Sequence, residues 1–388
     1  MELNKERIYL FCEYNRIDSG RELVMPPAAI TWVDYIVSAI KKTGRSVTIV
    51  SISGGQGHSY LKRKRQVIDN QEDIVYLPAF DQKGNFLKLR FSQFIVYINV
   101  FLYIFFKTKK KSKLIIYHSY GFSLFINTIK WVFNRCYIYL VGEVFSAVYC
   151  KGKNAINNEL SMLNGADGYI YVNNLLSKYI DDKRPCCVCH GSYALPTGYF
   201  TKINDSQTHI VYAGKISTKD ITDAFVAVES AKYLNSMFRV HILGYGLQED
   251  IDALQRKIDK INKEHGFQII SYDGCLSGPE YDEFLCKCDI GLCTRVLEEP
   301  NSSLCFPSKT VVYLTHGLTA ICPDIPVLRE SSLASFLAFI PSEFTAKDVA
   351  KAIIEQQKIP KEQITAFINE LDNQFVESID KTLDKIYT

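Results

Sequence analysis

From Thr208 to Glu330 the chain alternates apolar strands with amphipathic helices, and it sets glycine or lysine at the turns between them. His209-Ile-Val-Tyr-Ala-Gly214-Lys215 reads as a buried strand that runs into a glycine and a cation. Phe238-Arg-Val-His-Ile-Leu-Gly244-Tyr-Gly246 is a second such strand, ending in glycines. Phe306-Pro-Ser308-Lys309-Thr310 opens a helix that stops at Gly317, and Leu318 to Cys322 is the strand after it. Strands without a polar face need cover on both sides, as in a parallel sheet between two helical layers. Such sheets take their ligands at the carboxyl ends of the strands.

The same alternation runs through the first half, in a looser form. Strands are expected at Arg7 to Cys12, Ser46 to Ser51, Val75 to Leu77, Leu114 to Tyr117, Tyr137 to Val141 and Gly168 to Val172. Between the first two, Ile30, Val33, Ile36, Val37 and Ile40 share one helical face, and Gly44 ends the helix. The pattern breaks near Gly191 to Asp205, where glycine, proline and polar residues cluster without a period. With 388 residues the chain suits two domains. The expected division is a first Rossmann-like domain over 1–195, a linker over 196–206, and a second such domain over 207–365. A terminal helix over 366–388 would return to the first domain. The second half also predicts a helix with Leu247, Ile251, Leu254, Ile258 and Ile261 on its core face.

Composition narrows the class. Apolar residues make up 47% and charged residues 22%, enough to fill large cores and too apolar for a disordered chain. A formal charge of +3 gives no ground for nucleic-acid binding. Twelve cysteines without paired spacing, after a polar Met1 to Arg7, predict reduced thiols and a cytoplasmic protein. Cys186, Cys187, Cys189 and His190 crowd into a probable strand, where alternate residues face opposite sides; this predicts core cysteines rather than a zinc site. Phe94 to Phe106 is an apolar and aromatic run followed directly by the lysines of 107–113. It is short of the roughly 20 residues of a spanning helix. Two readings stand: a core helix with a solvated lysine cap, or a peripheral contact at the inner face of the cell membrane over 94–113. Lys62-Arg-Lys-Arg65 could add to such a membrane surface, though four charges ordinarily mean a solvated loop.

The chemistry-bearing residues concentrate in the second half. A helix N-terminus offers unpaired N–H groups and partial positive charge, hence an anion site. Ser308, Lys309 and Thr310 add two hydroxyls and an ammonium there. Lys215 and Lys219 lie just past the strand ending at Gly214, where a missing side chain lets a ligand approach the backbone. Each feature alone is an ordinary cap with a solvated lysine. Together on neighbouring loops they suit a diphosphate. Gly244-Tyr-Gly246 reads as a turn, and His241 and His316 as packing or surface residues.

Tyr212-Ala-Gly214-Lys215-Ile-Ser-Thr-Lys219 and Phe306-Pro-Ser-Lys309-Thr-Val-Val-Tyr313-Leu-Thr-His-Gly317 resemble signature blocks of group 1 glycosyltransferases with the GT-B fold. Val240 to Gly246, Tyr272 to Ser277, Tyr281 to Gly291 and Asp324 to Glu330 follow in that family's order. The resemblance covers the second half well and the first half loosely. It implies an α/β chain of two Rossmann-like domains facing across a cleft, with a nucleotide-sugar donor held by the second. Lys215 and Lys219 would then hold the diphosphate, Ser308, Lys309 and Thr310 the phosphates or ribose, and Gly274, Leu276 and Ser277 the base. The implied activity moves a sugar from a UDP-sugar, or less readily a GDP-sugar, to a growing surface glycan, lipid-linked included. No cofactor and no metal are expected, since no paired aspartates sit where a cation would bridge a diphosphate. Where many retaining members carry two glutamates eight positions apart, this chain has Leu304 and Val312. Glu298 and Glu299 lie nearby but on an irregular loop, and the stereochemical course stays open. An inverting route needs a general base, for which the first half offers His118 and Glu143 after strands, with Asp18 and Glu22 as further carboxylates. Two other functions fit the same architecture: a silent subunit that scaffolds a partner, and a nucleotide-sugar epimerase.

Overall fold

A computed structural model describes residues 6–21, 27–55, 60–80, 86–110, 112–117, 123–143, 153–179, 183–198, 205–218, 223–295, 304–356 and 359–386. The chain divides into two compact units, one of Met1–Ser192 with Asn373–Thr388, the other of Tyr193–Asp372.

The first unit contains β1 (Arg7–Cys12), α1 (Pro27–Lys42), β2 (Ser46–Ser51), β3 (Tyr60–Leu61), β4 (Lys64–Val67), β5 (Glu72–Tyr76), β6 (Ala79–Phe80) and α2 (Phe86–Lys107). It continues through β7 (Lys113–Tyr117), α3 (Ser123–Phe133), β8 (Cys136–Val141), α4 (Lys153–Gly165), β9 (Gly168–Tyr171) and β10 (Cys186–Val188). Eight strands form one sheet in the order β10-β9-β8-β7-β1-β2-β5-β4, while β3 and β6 pair separately. All its neighbours run parallel except β4, which lies antiparallel on β5 at the edge. Lys64 and Arg65 therefore belong to a strand and not to a solvated loop. Arg65 Nε donates to Asp73 at 2.7 Å, and Arg7 reaches the same carboxylate at 2.7 Å. Charged residues on an edge strand also deter pairing with another chain.

Phe11, Val50, Val75, Ile116, Tyr139 and Tyr171 meet Val96, Val100 and Ile104 of α2 in the core of this unit. The apolar run expected from Phe94 is thus the middle of a longer helix of 22 residues with one face buried. Among the described residues no helix is long and apolar enough to cross a membrane. Cys187 and Cys189 are buried thiols, and Trp32 Nε1 donates to Cys189 Sγ at 3.3 Å. Cys186 is exposed.

The second unit contains β11 (Thr208–Ile216), α5 (Asp223–Ser230), β12 (Phe238–Gly246), α6 (Gln248–His265), β13 (Ile270–Gly274), α7 (Gly278–Lys287) and β14 (Ile290–Leu292). After these come α8 (Ser308–Thr315), β15 (Thr319–Pro323), α9 (Pro326–Arg329), β16 (Leu337–Ile340) and α10 (Ala346–Glu355). The last helix, α11 (Lys361–Lys385), gives its first residues to this unit and those from Asn373 to the other. Six strands, all parallel, take the order β13-β12-β11-β14-β15-β16. Leu254, Ile258 and Ile261 of α6 are buried against Ile210, Ile242 and Ile270. Leu247, expected on that face, is instead the exposed N-cap of α6, so the buried stripe starts one turn later. Gly266 closes α6 at φ 74°, its N–H bonding back to Asn262 and Lys263 as a left-handed cap requires.

Candidate functional site

Strand order marks a candidate crevice in the second unit. β11 and β14 are neighbours, but β11 is followed by β12 on one side and β14 by β15 on the other. The connections leaving their carboxyl ends part there, opening the crevice where doubly wound sheets bind ligands. β11 and β12 also overhang their neighbours. They stay paired through Ile216 and Gly246, whereas β14 meets β11 only at Ile210 and Val211. Close approach needs glycine: a Cβ on Gly244 would lie 2.0 Å from the Gly214 carbonyl oxygen, and one on Gly246 2.3 Å from that of Ile216. Gly244-Tyr-Gly246 is therefore a strand end and not a turn. Tyr272 Oη caps this edge by donating to the Gly244 carbonyl at 3.0 Å.

Lys309 projects into this crevice from the first turn of α8. Its Nζ donates to Tyr212 Oη at 3.0 Å and lies 4.1 Å from the centre of that ring. A Cβ on Gly214 would come within 2.4 Å of Nζ, so the glycine is what admits the ammonium. Tyr212 Oη in turn donates to the Lys215 carbonyl at 3.1 Å, fixing the backbone from which the exposed Lys215 side chain leaves. Tyr313, on the next turn of α8, holds the helix down. Its ring fills the space over Gly291, where a Cβ would lie 2.1 Å from it. Its hydroxyl accepts from Ala213 N at 3.0 Å and donates to the Leu292 carbonyl at 3.1 Å. One phenol thereby ties β11, β14 and α8 together. Tyr281 of α7 is pushed up to about 12 by burial, with the Lys309 charge opposing the shift.

Other expected donor residues are placed less uniformly. Ser308 is exposed at the helix start, following Pro307 as N-cap. Thr310 is 0% exposed and its hydroxyl donates to the Pro307 carbonyl at 2.7 Å, so it closes its own turn instead of facing a phosphate. Gly274 and Gly278 bracket the loop after β13 with φ of 85° and 58°. Between them Leu276 is half-buried, and Ser277 is the exposed N-cap of α7 with no side-chain capping bond. Lys219, Glu298 and Glu299 lie outside the described residues. His316 is buried, with Nδ1 at 2.7 Å from the Val312 carbonyl and Nε2 at 3.1 Å from Asp282. A hollow of about 270 Å³ opens at that opposite end of α8, lined by Cys286, Thr315, His316 and Lys361, away from Lys309. His241 pairs with His209 at 2.9 Å, between Asp205 and Asp273.

In the first unit the switch point falls between β1 and β7. His118 and Glu22 lie outside the described residues. Glu143 stands two residues beyond β8, half-buried, and its charge reaches Tyr117 at the end of β7, whose hydroxyl burial raises strongly. Glu13 directly follows β1 at the same sheet edge and also acts on Tyr117. Desolvation raises the carboxyls of Glu13 and of Asp34, which accepts from Tyr14 Oη at 2.5 Å. Both residues are open to solvent on one side, which screens the effect. Asp18 is an exposed partner of Arg16 at 3.0 Å. Glu13 was open to detection as the residue after the first strand; Asp34, in the middle of α1, carried no comparable signal.

No protein-family model and no curated protein sequence matches the chain. Solved structures do. OtsA in its apo form superposes with a TM-score of 0.65 at 11% identity, covering 99% of this chain and 98% of that one. A trehalose-6-phosphate protein from E. coli, bound with UDP-2-fluoro glucose, gives 0.62 at 12% identity, over 98% of each chain. Anabaena HepE in complex with UDP and glucose gives 0.58 at 10%, over 99% and 98%. The fold is GT-B. In this GT-B chain the switch point of the second sheet and the Lys309–Gly214 contact fall at the carboxyl ends of the strands.

Proposed function

We propose that this chain is a glycosyltransferase that takes its sugar from a nucleotide-sugar donor, a UDP-sugar before a GDP-sugar. The observation that carries the reading is the Lys309 ammonium, held at the N-terminus of α8 over Gly214 at the switch point of a GT-B sheet. Departure of a nucleoside diphosphate builds negative charge that fixed cations and helix N–H groups stabilise. Lys309, Lys215 and Lys219 supply the cations, and Ser308 with the first turn of α8 the N–H groups. The Gly274–Ser277 loop receives the base. No metal is needed in this scheme. Solved GT-B structures with UDP and glucose, and with UDP-2-fluoro glucose, support the choice of donor.

On the acceptor side, Glu143 and His118 are the general-base candidates, and Glu13 joins them. The acceptor is a growing surface glycan, lipid-linked and met at the cytoplasmic face of the membrane, with contact through 94–113. The exposed apolar side of α2 supports that placement.

A thermal-shift panel of UDP-, GDP-, dTDP- and CMP-sugars, run beside Lys309→Ala, tests the donor. A ligand at about 100 times its dissociation constant stabilises the native state by about 2.7 kcal/mol. One nucleotide family should give that shift and lose it in the variant. No shift from any donor would favour the second reading, a silent GT-B subunit. Leu304 and Val312, which stand where a carboxylate pair is common, favour that second reading.

A further inference from the structure

From Phe94 to Phe106 the α2 helix is apolar on every side but for Asn99, which ordinarily means burial all round. Only half of it is buried. Val96, Val100, Tyr103 and Ile104 enter the core, while Phe91, Phe94, Ile98, Leu102, Phe105 and Phe106 are exposed. At about 100° per residue these six fall within roughly 120° of arc and run about 22 Å along the helix. α3 packs beside α2, with Phe133 lying 5.4 Å from Phe101 and 5.3 Å from Phe105 between ring centres. It adds Trp131, 85% exposed, and Val132. An apolar surface of this extent marks an interaction site.

Charge selects the partner. Neither α2 nor α3 contains an aspartate or glutamate. Exposed Lys107 ends α2, exposed Lys109 and Lys110 follow it, and exposed Arg63 sits 5.4 Å over the ring of Tyr103 at the margin of the helix. Aromatic and aliphatic side chains framed by cations, with no carboxylate among them, match the interface of an anionic bilayer, where tryptophan sits at headgroup level.

We infer that the outer faces of α2 and α3 form one docking surface for an anionic membrane, on which this unit lies without spanning it. The inference deepens the membrane part of the proposed function and rests on it only for the identity of the acceptor. It extends the contact beyond residues 94–113 to Trp131 and Val132.

Flotation of the full chain with vesicles of equal parts phosphatidylcholine and phosphatidylglycerol tests it. Binding should fall at least tenfold on pure phosphatidylcholine, and at least tenfold in Lys107→Glu/Lys109→Glu/Lys110→Glu. Phe94→Ser/Phe106→Ser/Trp131→Ser should abolish it while leaving the unfolding midpoint nearly unchanged, since each of these side chains is more than half exposed. A wild type that stays unbound overturns the inference, as does a serine variant that floats like the wild type. So does a lipid-free dimer that the serine variant dissociates and vesicles do not. The donor shift is read without lipid. A chain that floats but binds no nucleotide-sugar keeps the surface and loses the transferase reading, and the converse result does the reverse.

Discussion

Lys309 Nζ occupies the space that a β-carbon on Gly214 would fill, 2.4 Å from its ideal position. The two residues are far apart in sequence and meet because β11 and β14 are adjacent. Gly214→Ala must therefore move the ammonium off Tyr212. The lysine tip is flexible, so the free protein should lose no more than about 1 kcal/mol in urea denaturation. The nucleotide-sugar thermal shift should fall nearly as far as in Lys309→Ala. A full shift in Gly214→Ala would remove Lys309 from the donor site.

Tyr313 is a sharper test of how the crevice is built. Tyr313→Phe keeps the ring over Gly291 but leaves the buried Ala213 N–H and Leu292 carbonyl without their phenol partner. Each orphaned group costs about 1–3 kcal/mol, so urea denaturation should register roughly 2–6 kcal/mol in total. Gly291→Ala drives a methyl into the ring and should cost at least as much. Made in a Tyr313→Leu background, the same alanine should cost much less, a coupling that a double-mutant cycle reads directly.

The sequence disclosed the strand ends of the second unit because their apolar runs stop at glycine or lysine. It disclosed the start of α8 because proline followed by a polar triad is a cap. Strand order was hidden, since no residue pattern says that β11 lies between β12 and β14, and the crevice depends on that order. The tyrosines were hidden for a related reason. Tyr212 and Tyr313 sit in apolar runs and look like core, and the hydroxyl partners that give Tyr313 its role are backbone groups distant in sequence. Lys64 and Arg65 misled in the other direction, because an edge strand carries charge as freely as a loop does. Thr310 followed a local rule: at the third position of its helix its hydroxyl can reach the Pro307 carbonyl, and it does.

Arg45 offers a prediction about the last helix. It is 3% exposed, donates to Thr43 Oγ1 at 2.8 Å, and pairs with Asp380 and Asp384 of α11, which are more open. Removing the partners strands a buried cation, whereas removing the cation leaves two carboxylates that water can reach. Asp380→Ala/Asp384→Ala should therefore cost about 3 kcal/mol, and Arg45→Met distinctly less. Chemical denaturation of the two variants orders them, and the opposite order would show that the stem of Arg45, not its charge, holds α11.

Acid sensitivity should have a specific source at His190. The side chain is 3% exposed, and burial lowers its pKa to about 4, with Nδ1 2.8 Å from the Val172 carbonyl. That carbonyl can only accept, so the proton of the neutral ring sits on Nδ1. In the unfolded chain an imidazole titrates near 6.5. The folded value is the lower one, so the contribution to stability is fully present above about pH 6.5 and is lost as pH falls toward 4. Over that interval the loss approaches roughly 3 kcal/mol at 1.36 kcal/mol per pH unit. His190→Gln keeps a donor for Val172 and cannot be protonated. Its unfolding free energy should decline less than the wild type's between pH 7 and pH 4, by most of that amount. Parallel decline in the two proteins would assign the acid sensitivity to other groups.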